Sequence, residues 1–258
     1  MDTAVTPLLQ ASALTVTVPG RTLIEALDCQ IVSGEFLALL GGNGAGKSLL
    51  LRTFAGLRAP QGGDIRVAGE LLQALDRRSV ARRLGFLPQD PEAAPQGSVR
   101  EALMLGRFAH LGFFEQSGAA DLARVDHALD VVGLAGFDAR DLGSLSGGEQ
   151  RRAAIARLLV QEPSLYLLDE PTNHLDPAQQ IAVLQRMREL ARDGAGVIAS
   201  LHDPNLALRF ADRIGLLRGD GSLQLVATAE LTPTHLEKLY GLRYGETRLG
   251  AQRLMAPD

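Results

Sequence analysis

The sequence predicts an α/β fold whose core is a parallel or mixed β-sheet. Two short apolar segments, Leu165–Leu168 and residues 197–201, have the length and composition of buried strands. An amphipathic segment, Pro177–Arg192, lies between them and has the spacing of a helix. A strand, a helix and a second strand in this order are typical of parallel neighbours in one sheet.

A helical subdomain is predicted to interrupt this core. Helical stretches at residues 99–110 and 121–132 follow one another without a convincing strand. We therefore predict one domain over all 258 residues, with a core at about 1–89 and 143–258 and a helical insertion at about 90–142. The length supports this division, because it is long for one simple domain and short for two.

The other elements are predicted from shorter patterns. Strands are expected at residues 14–18, 35–40, 214–217 and Leu223–Ala227, the last two at a sheet edge, and helices at residues 48–57 and 234–240. The tail after Tyr244 carries no clear signal, and we expect it to fray.

Composition restricts the class of protein. The net charge of -4 and the pI near 5.8 argue against nucleic acid as the main partner, because such domains usually carry a basic excess. The N-terminal residues lack the pattern of a signal peptide, and no stretch approaches about 18 uncharged apolar residues. These patterns predict a cytosolic chain. The single Cys29 has no cysteine to pair with and is predicted to be a core residue.

A glycine-rich loop between a predicted strand and a predicted helix indicates a nucleotide site. Glycines let successive backbone N–H groups face phosphate oxygens at the positive end of the following helix. Lys47 places a point charge near the β- and γ-phosphates, and the Ser48 hydroxyl can ligate Mg²⁺. A glycine turn without a ligand is the alternative. The predicted nucleotide-binding residues of this loop are Gly41, Gly42, Asn43, Gly44, Ala45, Gly46, Lys47, Ser48 and Leu49.

Asp169 and Glu170 follow a run of four apolar residues. They are therefore expected at the carboxyl edge of a buried strand, where α/β proteins place their ligands. Asp169 is predicted to hold Mg²⁺ through water, and Glu170 is predicted to accept a proton from the attacking water. The alternative is a helix-capping or salt-bridged acid before the turn at Pro171, and the loop at Lys47 argues against it.

A third motif, Leu145-Ser-Gly-Gly-Glu149, completes a family resemblance. With the phosphate loop before it and the acidic pair after it, the chain resembles the ATP-binding cassette (ABC) ATPases over nearly its whole length. The resemblance implies a P-loop NTPase fold of ABC type with a RecA-like core. It also implies an ATPase activity with ATP and Mg²⁺ as cofactors.

The same resemblance assigns roles to further residues. Gln89, in Gly85-Phe-Leu-Pro-Gln89, corresponds to a glutamine that contacts Mg²⁺ and water. His202 corresponds to a switch histidine that hydrogen-bonds the γ-phosphate. The implied catalytic residues are Glu170, His202 and Gln89, and the implied metal ligands are Ser48, Gln89 and Asp169. The residues implied to reach the ATP of a partner subunit are Ser146, Gly147, Gly148 and Asp176.

Three positions depart from the family pattern. No aromatic residue occurs near Val18, where one usually stacks on adenine, and such a contact is typically worth about 1 to 3 kcal/mol. Gly42 stands where proline is commoner, and Leu49 stands where a second hydroxyl is common. The first departure predicts weaker ATP binding or looser base selection.

Within the family, the chain is similar to the ATPases of importers for iron-siderophores, haem and cobalamin. The resemblance rests on residues 170–177, 202–208 and 231–241. It implies a head-to-tail homodimer at the inner face of the membrane, bound to permease subunits and acting indirectly with a substrate-binding protein. No nucleic acid is expected, and the cargo is not encoded in this chain. The alternative is a non-transport cytosolic ATPase, of the ribosome-binding ABC-F type or serving iron-sulfur assembly.

A contact surface for the permease is predicted on the helical subdomain. It comprises residues 90–97 and 107–114, in which Phe113 and Phe114 form an apolar pair. The pair is a docking site in one interpretation and an ordinary interhelical core pair in the other.

Overall fold

The chain forms two main β-sheets with helices packed around them. A computed structural model describes residues 6–89, 96–111 and 117–258. The strands are β1 (Leu9–Val18), β2 (Arg21–Ile31), β3 (Phe36–Gly41), β4 (Gly62–Val67), β5 (Glu70–Leu71), β6 (Leu84–Leu87), β7 (Leu165–Leu168), β8 (Gly196–Ser200), β9 (Arg213–Leu217), β10 (Leu223–Ala227), β11 (Tyr244–Leu249) and β12 (Gln252–Pro257).

The helices surround these sheets. They are α1 (Lys47–Phe54), α2 (Arg77–Arg83), α3 (Val99–Met104), α4 (Ala119–Val131), α5 (Gly147–Gln161), α6 (Pro177–Arg192), α7 (Pro204–Phe210) and α8 (Pro233–Tyr240), with a 3-10 helix at Leu105–Ala109 after α3. Across the described ranges, no helix combines the length and the apolar character needed to cross a membrane.

The central sheet has the strand order β10-β9-β3-β8-β7-β6. Strands β6, β7, β8, β3 and β9 are parallel, and β10 joins the edge antiparallel to β9. The prediction of a mixed sheet is confirmed, and β7, α6 and β10 have the predicted bounds.

Strand β3 shows how this sheet is buried on both faces. Phe36, Ala38 and Leu40 point into an apolar cluster that also contains residues of α6 and α7. Leu37 and Leu39 point into a second cluster shared with α1 and the antiparallel sheet. All six residues of β3 are buried, which explains the continuous apolar pattern of this strand.

The helices α3, α4 and α5 surround a third apolar cluster. Val99, Leu103, Val125 and Leu129 meet there, and Ala156 closes the cluster from α5. In the part of residues 96–142 that the structure describes, the one strand-like pairing is an isolated bridge. Helix α5, which lies after the predicted boundary at residue 142, therefore supplies part of the core of the helical region.

The predicted permease surface is only partly described. Residues 90–95 and 112–116, including Phe113 and Phe114, lie outside the described ranges. Arg107 is not a surface residue, because its side chain is buried against Asp121 with 2.9 Å between Nε and Oδ1. Its neighbour Phe108 is 67% exposed.

The N-terminal sheet, of order β2-β1-β4-β5, is more extensive than the sequence predicts. Strand β1 begins at Leu9 rather than at residue 14, and its pairing with β2 shifts register between Ala11 and Leu14. Ala13 has a φ of 46°, which breaks the alternation of apolar and polar residues at this irregularity. The broken period explains why the first half of the strand was not predicted.

The expectation that the C-terminal tail frays is wrong. Strands β11 and β12 form an antiparallel hairpin, and Met255 is buried in the cluster beside α7. The Asn205 side chain pairs with the Met255 backbone, donating to its carbonyl at 3.1 Å and accepting from its N–H at 2.8 Å. The hairpin has a weak sequence signal because it buries few apolar side chains and depends on this polar contact.

Replacing Asn205 with alanine should loosen the hairpin. Loss of both hydrogen bonds to Met255 is expected to lower the free energy of unfolding by about 1 to 3 kcal/mol. Urea unfolding measures this loss, and amide hydrogen exchange should rise in residues 244–257. The exposed Gln185 of α6 provides a control, since Gln185→Ala should change stability by less than about 0.5 kcal/mol. Unchanged exchange in the hairpin would contradict the role of Asn205.

Candidate nucleotide-binding cleft

The phosphate loop lies at the carboxyl edge of the parallel sheet, between the end of β3 and the start of α1. At this edge, strands β6, β7 and β8 also end, so the segments that follow them converge on the loop. The crevice at the carboxyl ends of parallel strands is the usual ligand site of open α/β sheets.

Close packing makes two of the loop glycines necessary. A methyl group at Gly41 would lie 2.6 Å from the carbonyl oxygen of Leu217, and one at Gly46 would lie 3.2 Å from Leu23 Cβ. Gly46 also has a φ of 109°, which side chains rarely permit. The loop therefore reaches α1 in a tight turn that leaves the first N–H groups of this helix available to an anion.

Lys47 is buried within the loop. Its Nζ donates to the carbonyl oxygen of Gly41 at 2.7 Å and to that of Gly42 at 3.2 Å. Burial lowers the pKa of Lys47 below its ordinary value, and the carboxylates of Glu170 and Asp169 act in the opposite direction. The loop carbonyls and the two nearby acids therefore keep a positive charge at this position in the cleft.

Asp169 lies directly after β7 and is 1% exposed. One of its carboxylate oxygens accepts a hydrogen bond of 2.8 Å from the Ser200 hydroxyl, at the end of β8. The same hydroxyl accepts the Glu170 N–H, also at 2.8 Å. Ser200 thus fixes the acidic pair to the neighbouring strand.

Glu170 points into the cleft from a turn with a φ of 49°. Its Oε1 lies 2.8 Å from Nε2 of His202, and its Oε2 accepts a hydrogen bond from the side-chain amide of Asn173. The Glu170 side chain is nearly buried, whereas that of His202 is 46% exposed. The carboxylate is therefore held from both sides, with the histidine between it and solvent.

Arg151 is a site residue that the sequence interpretation missed. Its guanidinium donates to four carbonyl oxygens, those of Pro88 at 2.5 Å, Gln89 at 3.1 Å, Asp169 at 2.6 Å and Glu170 at 2.7 Å. Arg151, a residue of helix α5, therefore links the segment that follows β6 to the segment that follows β7.

The sequence contains a signal for this arginine. Arg151 is four residues before Ile155 and seven before Leu158, and both of these residues are buried. A basic residue at this spacing on the apolar face of a helix indicates a buried polar partner. Ser200 has a similar signal, as the one hydroxyl in the otherwise apolar strand β8.

The cleft beside the phosphate loop has a volume of about 580 Å³. Most of the predicted nucleotide and catalytic residues line it, together with three residues of the N-terminal sheet. The lining residues are Val18, Arg21, Leu23, Asn43, Gly44, Ala45, Gly46, Lys47, Ser48, Leu49, Gln89, Glu170 and His202. Asp169 lies behind this lining, where it bonds to Ser200.

The remaining predicted residues form a separate surface. Ser146 caps α5 in a reciprocal pair with Glu149, and Asp176 caps α6 by accepting the Gln179 N–H. Ser146, Gly147 and Asp176 are exposed, and neither they nor Gly148 line the cleft of their own chain.

These two helix starts lie side by side. A methyl group at Gly148 would lie 3.0 Å from the carbonyl oxygen of His174, so the first turn of α5 contacts the turn before α6. His174 has a φ of 63° in that turn.

Comparison with known proteins identifies relatives across almost the whole chain. A sequence model of the ABC transporter family matches residues 24–173. The hemin import ATP-binding protein of Deinococcus radiodurans is 38% identical over 246 residues, which cover 93% of this chain and 92% of that protein. The ferric enterobactin transport ATP-binding protein of Escherichia coli is 37% identical over 241 residues, covering 91% and 88% of the two chains.

Solved structures share the fold. A chain of a metal-chelate type ABC transporter in an inward-facing conformation matches with a TM-score of 0.83 and 28% identity, over 98% of both chains. A bacterial ABC transporter cassette solved as a dimer matches with a TM-score of 0.77 and 28% identity, over 85% of this chain and 98% of that one.

Removing the Ser200 hydroxyl should destabilise the acidic pair. Ser200→Ala leaves the buried N–H of Glu170 and the carboxylate of Asp169 without this partner, with an expected loss of about 1 to 3 kcal/mol in the free energy of unfolding. Urea denaturation tests the loss. Ser222→Ala is the control, because that serine is exposed and its hydroxyl bonds only within a surface turn. Equal stabilities of the two variants would contradict the bridging role of Ser200.

Proposed function

This chain belongs to the ABC transporter family, and we propose that it is the ATP-hydrolysing subunit of a metal-chelate importer. The observation that carries the ATPase assignment is the convergence of Lys47, Glu170 and His202 on one cleft. Relatives named for hemin, ferric enterobactin and cobalamin transport support the cargo class of haem, iron-siderophore or cobalamin. Selection among these chelates would rest with the permease and a substrate-binding protein.

We propose that the cleft binds ATP with Mg²⁺. The phosphate loop and Lys47 would hold the phosphates, and the oxygen atoms of Ser48, Gln89 and Asp169 would face the metal ion. Hydroxyl, amide and carboxylate oxygens are hard donors and fit Mg²⁺, which commonly keeps several waters. The position of Asp169 behind Ser200 favours contact through such a water. When bound, Mg²⁺ neutralises charge on the phosphates.

Glu170 is the proposed general base. Its carboxylate would accept a proton from the water that attacks the γ-phosphate, a role worth about 10²- to 10⁴-fold in rate. Asn173 and His202 hold the two carboxylate oxygens, which restricts the direction in which the base points. His202 is the more exposed partner and is the proposed contact to the γ-phosphate.

A head-to-tail homodimer is proposed to complete each site. Ser146, Gly147 and Asp176 are exposed, and together with the half-buried Gly148 they lie away from the cleft of their own chain. Ser146 lies at the start of α5, where free N–H groups and the helix dipole favour an anion. This surface would reach the γ-phosphate in the partner subunit. The cassette solved as a dimer among the structural relatives supports the formation of a dimer.

Replacing Glu170 with glutamine should separate ATP binding from hydrolysis. Glu170→Gln is expected to bind ATP, to lose at least about 100-fold in turnover because the base is absent, and to accumulate as an ATP-bound dimer. Phosphate release and size-exclusion chromatography in ATP measure these effects.

The double variant Glu170→Gln/Ser146→Arg should bind ATP yet remain monomeric. Glu230→Gln, at an exposed position, is the matched control.

Two results would contradict these assignments. Normal turnover in Glu170→Gln would refute the base, and an ATP-dependent dimer in the double variant would refute the proposed contact through Ser146.

A groove outside the cleft, formed by core residues rather than by the surface predicted on the helical subdomain, is a proposed docking site for a short cytoplasmic helix of the permease. It has a volume of about 800 Å³, and its lining includes apolar residues from the end of α1, from α2 and from β6 beside the charged Arg58, Asp64 and Arg77. Leu57 is 67% exposed at this groove. Phe86 lines it three residues before Gln89, so the groove and the ATP cleft are connected through one strand and its following loop. The helical region at about 90–142 is the proposed subdomain that moves with this helix.

Membrane pull-down tests the importer proposal. The tagged chain, isolated from detergent-solubilised membranes, should recover a polytopic permease identifiable by mass spectrometry. Leu57→Asp should reduce that recovery at least about fivefold, because burial of a carboxylate against an apolar helix is unfavourable, and should leave ATP binding intact. Leu242→Asp is the control, since Leu242 is 58% exposed outside the groove. Recovery of ribosomes or soluble assembly factors instead would favour a non-transport ATPase.

A further inference from the structure

One wall of the cleft lies outside the phosphate loop. Its phosphate side consists of the loop residues together with Gln89, Glu170 and His202. The remaining lining residues are Val18, Arg21 and Leu23, from the adjacent ends of β1 and β2. A nucleotide whose phosphates occupy the loop can place its base and ribose along this wall.

The wall lacks the usual partner of a base. No Phe, Tyr or Trp side chain is found among the described residues that line the cleft. Val18 and Leu23 are aliphatic, and Leu23 is buried. Arg21 is exposed and is the one residue of this wall with a planar, delocalised group.

The structure orients Arg21 toward this position. Its Nη2 donates a hydrogen bond to the carbonyl oxygen of Gly219, in the turn between β9 and β10. A methyl group at Gly219 would lie 2.9 Å from Arg21 Nη2 and 3.8 Å from Ala45 Cα. The guanidinium is thus anchored beside the phosphate loop by one edge, and an edge contact leaves the faces of a planar group available for stacking.

We propose that Arg21 stacks its guanidinium on the nucleobase and takes the place of the absent aromatic ring. Guanidinium groups stack on aromatic faces through combined cation–π and planar contact, which an ammonium group cannot reproduce. The proposal rests on ATP binding in this cleft and adds a base-contact residue to it. Because every base has a π-face, stacking of this kind selects weakly between adenine and guanine.

Binding measurements on the intact chain test this role without hydrolysis. Dissociation constants for ATP, GTP and inorganic tripolyphosphate are compared by titration calorimetry in the unmodified protein and in Arg21→Ala. The variant should bind ATP and GTP about 3- to 10-fold more weakly, the range expected for an exposed stacking cation, with tripolyphosphate affinity unchanged.

Further variants separate stacking from charge. Arg21→Tyr should restore ATP binding to within about twofold, whereas Arg21→Lys should behave like Arg21→Ala. Arg66→Ala is the matched control, because Arg66 also donates to a backbone carbonyl, that of Gly69, and does not line the cleft. Its affinities should equal those of the unmodified protein.

Three results would overturn the proposal. Equal weakening of ATP and tripolyphosphate in Arg21→Ala would place the guanidinium on the phosphates. Full ATP affinity in Arg21→Lys would show that charge alone suffices, and unchanged affinities in Arg21→Ala would place the base elsewhere. Failure of the unmodified protein to bind ATP would instead refute the nucleotide site itself, so the two failures are distinguishable.

Discussion

The hydrogen bonds of the buried Arg151 guanidinium are the interaction on which the site depends. Four carbonyl oxygens, two after β6 and two after β7, converge on this one side chain. Backbone carbonyls at the ends of strands have no partner in the sheet, and leaving them buried without donors costs about 1 to 3 kcal/mol each. Arg151 supplies these donors. It thereby fixes the separation between Gln89 and the acidic pair.

The charged residues of the cleft are brought together at the same edge of the sheet. Lys47, Asp169 and Glu170 are all buried, so each charge needs a partner. Loop carbonyls solvate Lys47, Ser200 bonds to Asp169, and His202 with Asn173 holds Glu170. The acids and the lysine are close enough to affect the lysine pKa. A magnesium-bound triphosphate would enter a site whose charges are already held in position.

Sequence motifs and apolar periodicity predicted those elements whose pattern is complete within one short segment. Strand β7 and helix α6 have such signals, and so does the phosphate loop. The elements that the sequence did not predict depend on contacts between distant segments. The C-terminal hairpin is held by Asn205, about fifty residues earlier, and β1 loses its period at Ala13. For the same reason, the motifs predicted a role for Glu170 but none for Ser200, whose contacts exist only because β8 lies beside β7.

Helix α5 connects the two surfaces of the proposed dimer. Its first turn carries the exposed Ser146 loop, and Arg151 lies one turn further along, bonded to the backbone of Gln89 and Glu170. A continuous hydrogen-bonded helix holds these two positions at a fixed spacing, with a rise of about 1.5 Å per residue. Docking of Ser146 against a partner's nucleotide would therefore act directly on the position of Gln89. Since Gln89 follows the strand that lines the proposed permease groove, the same displacement would reach that groove.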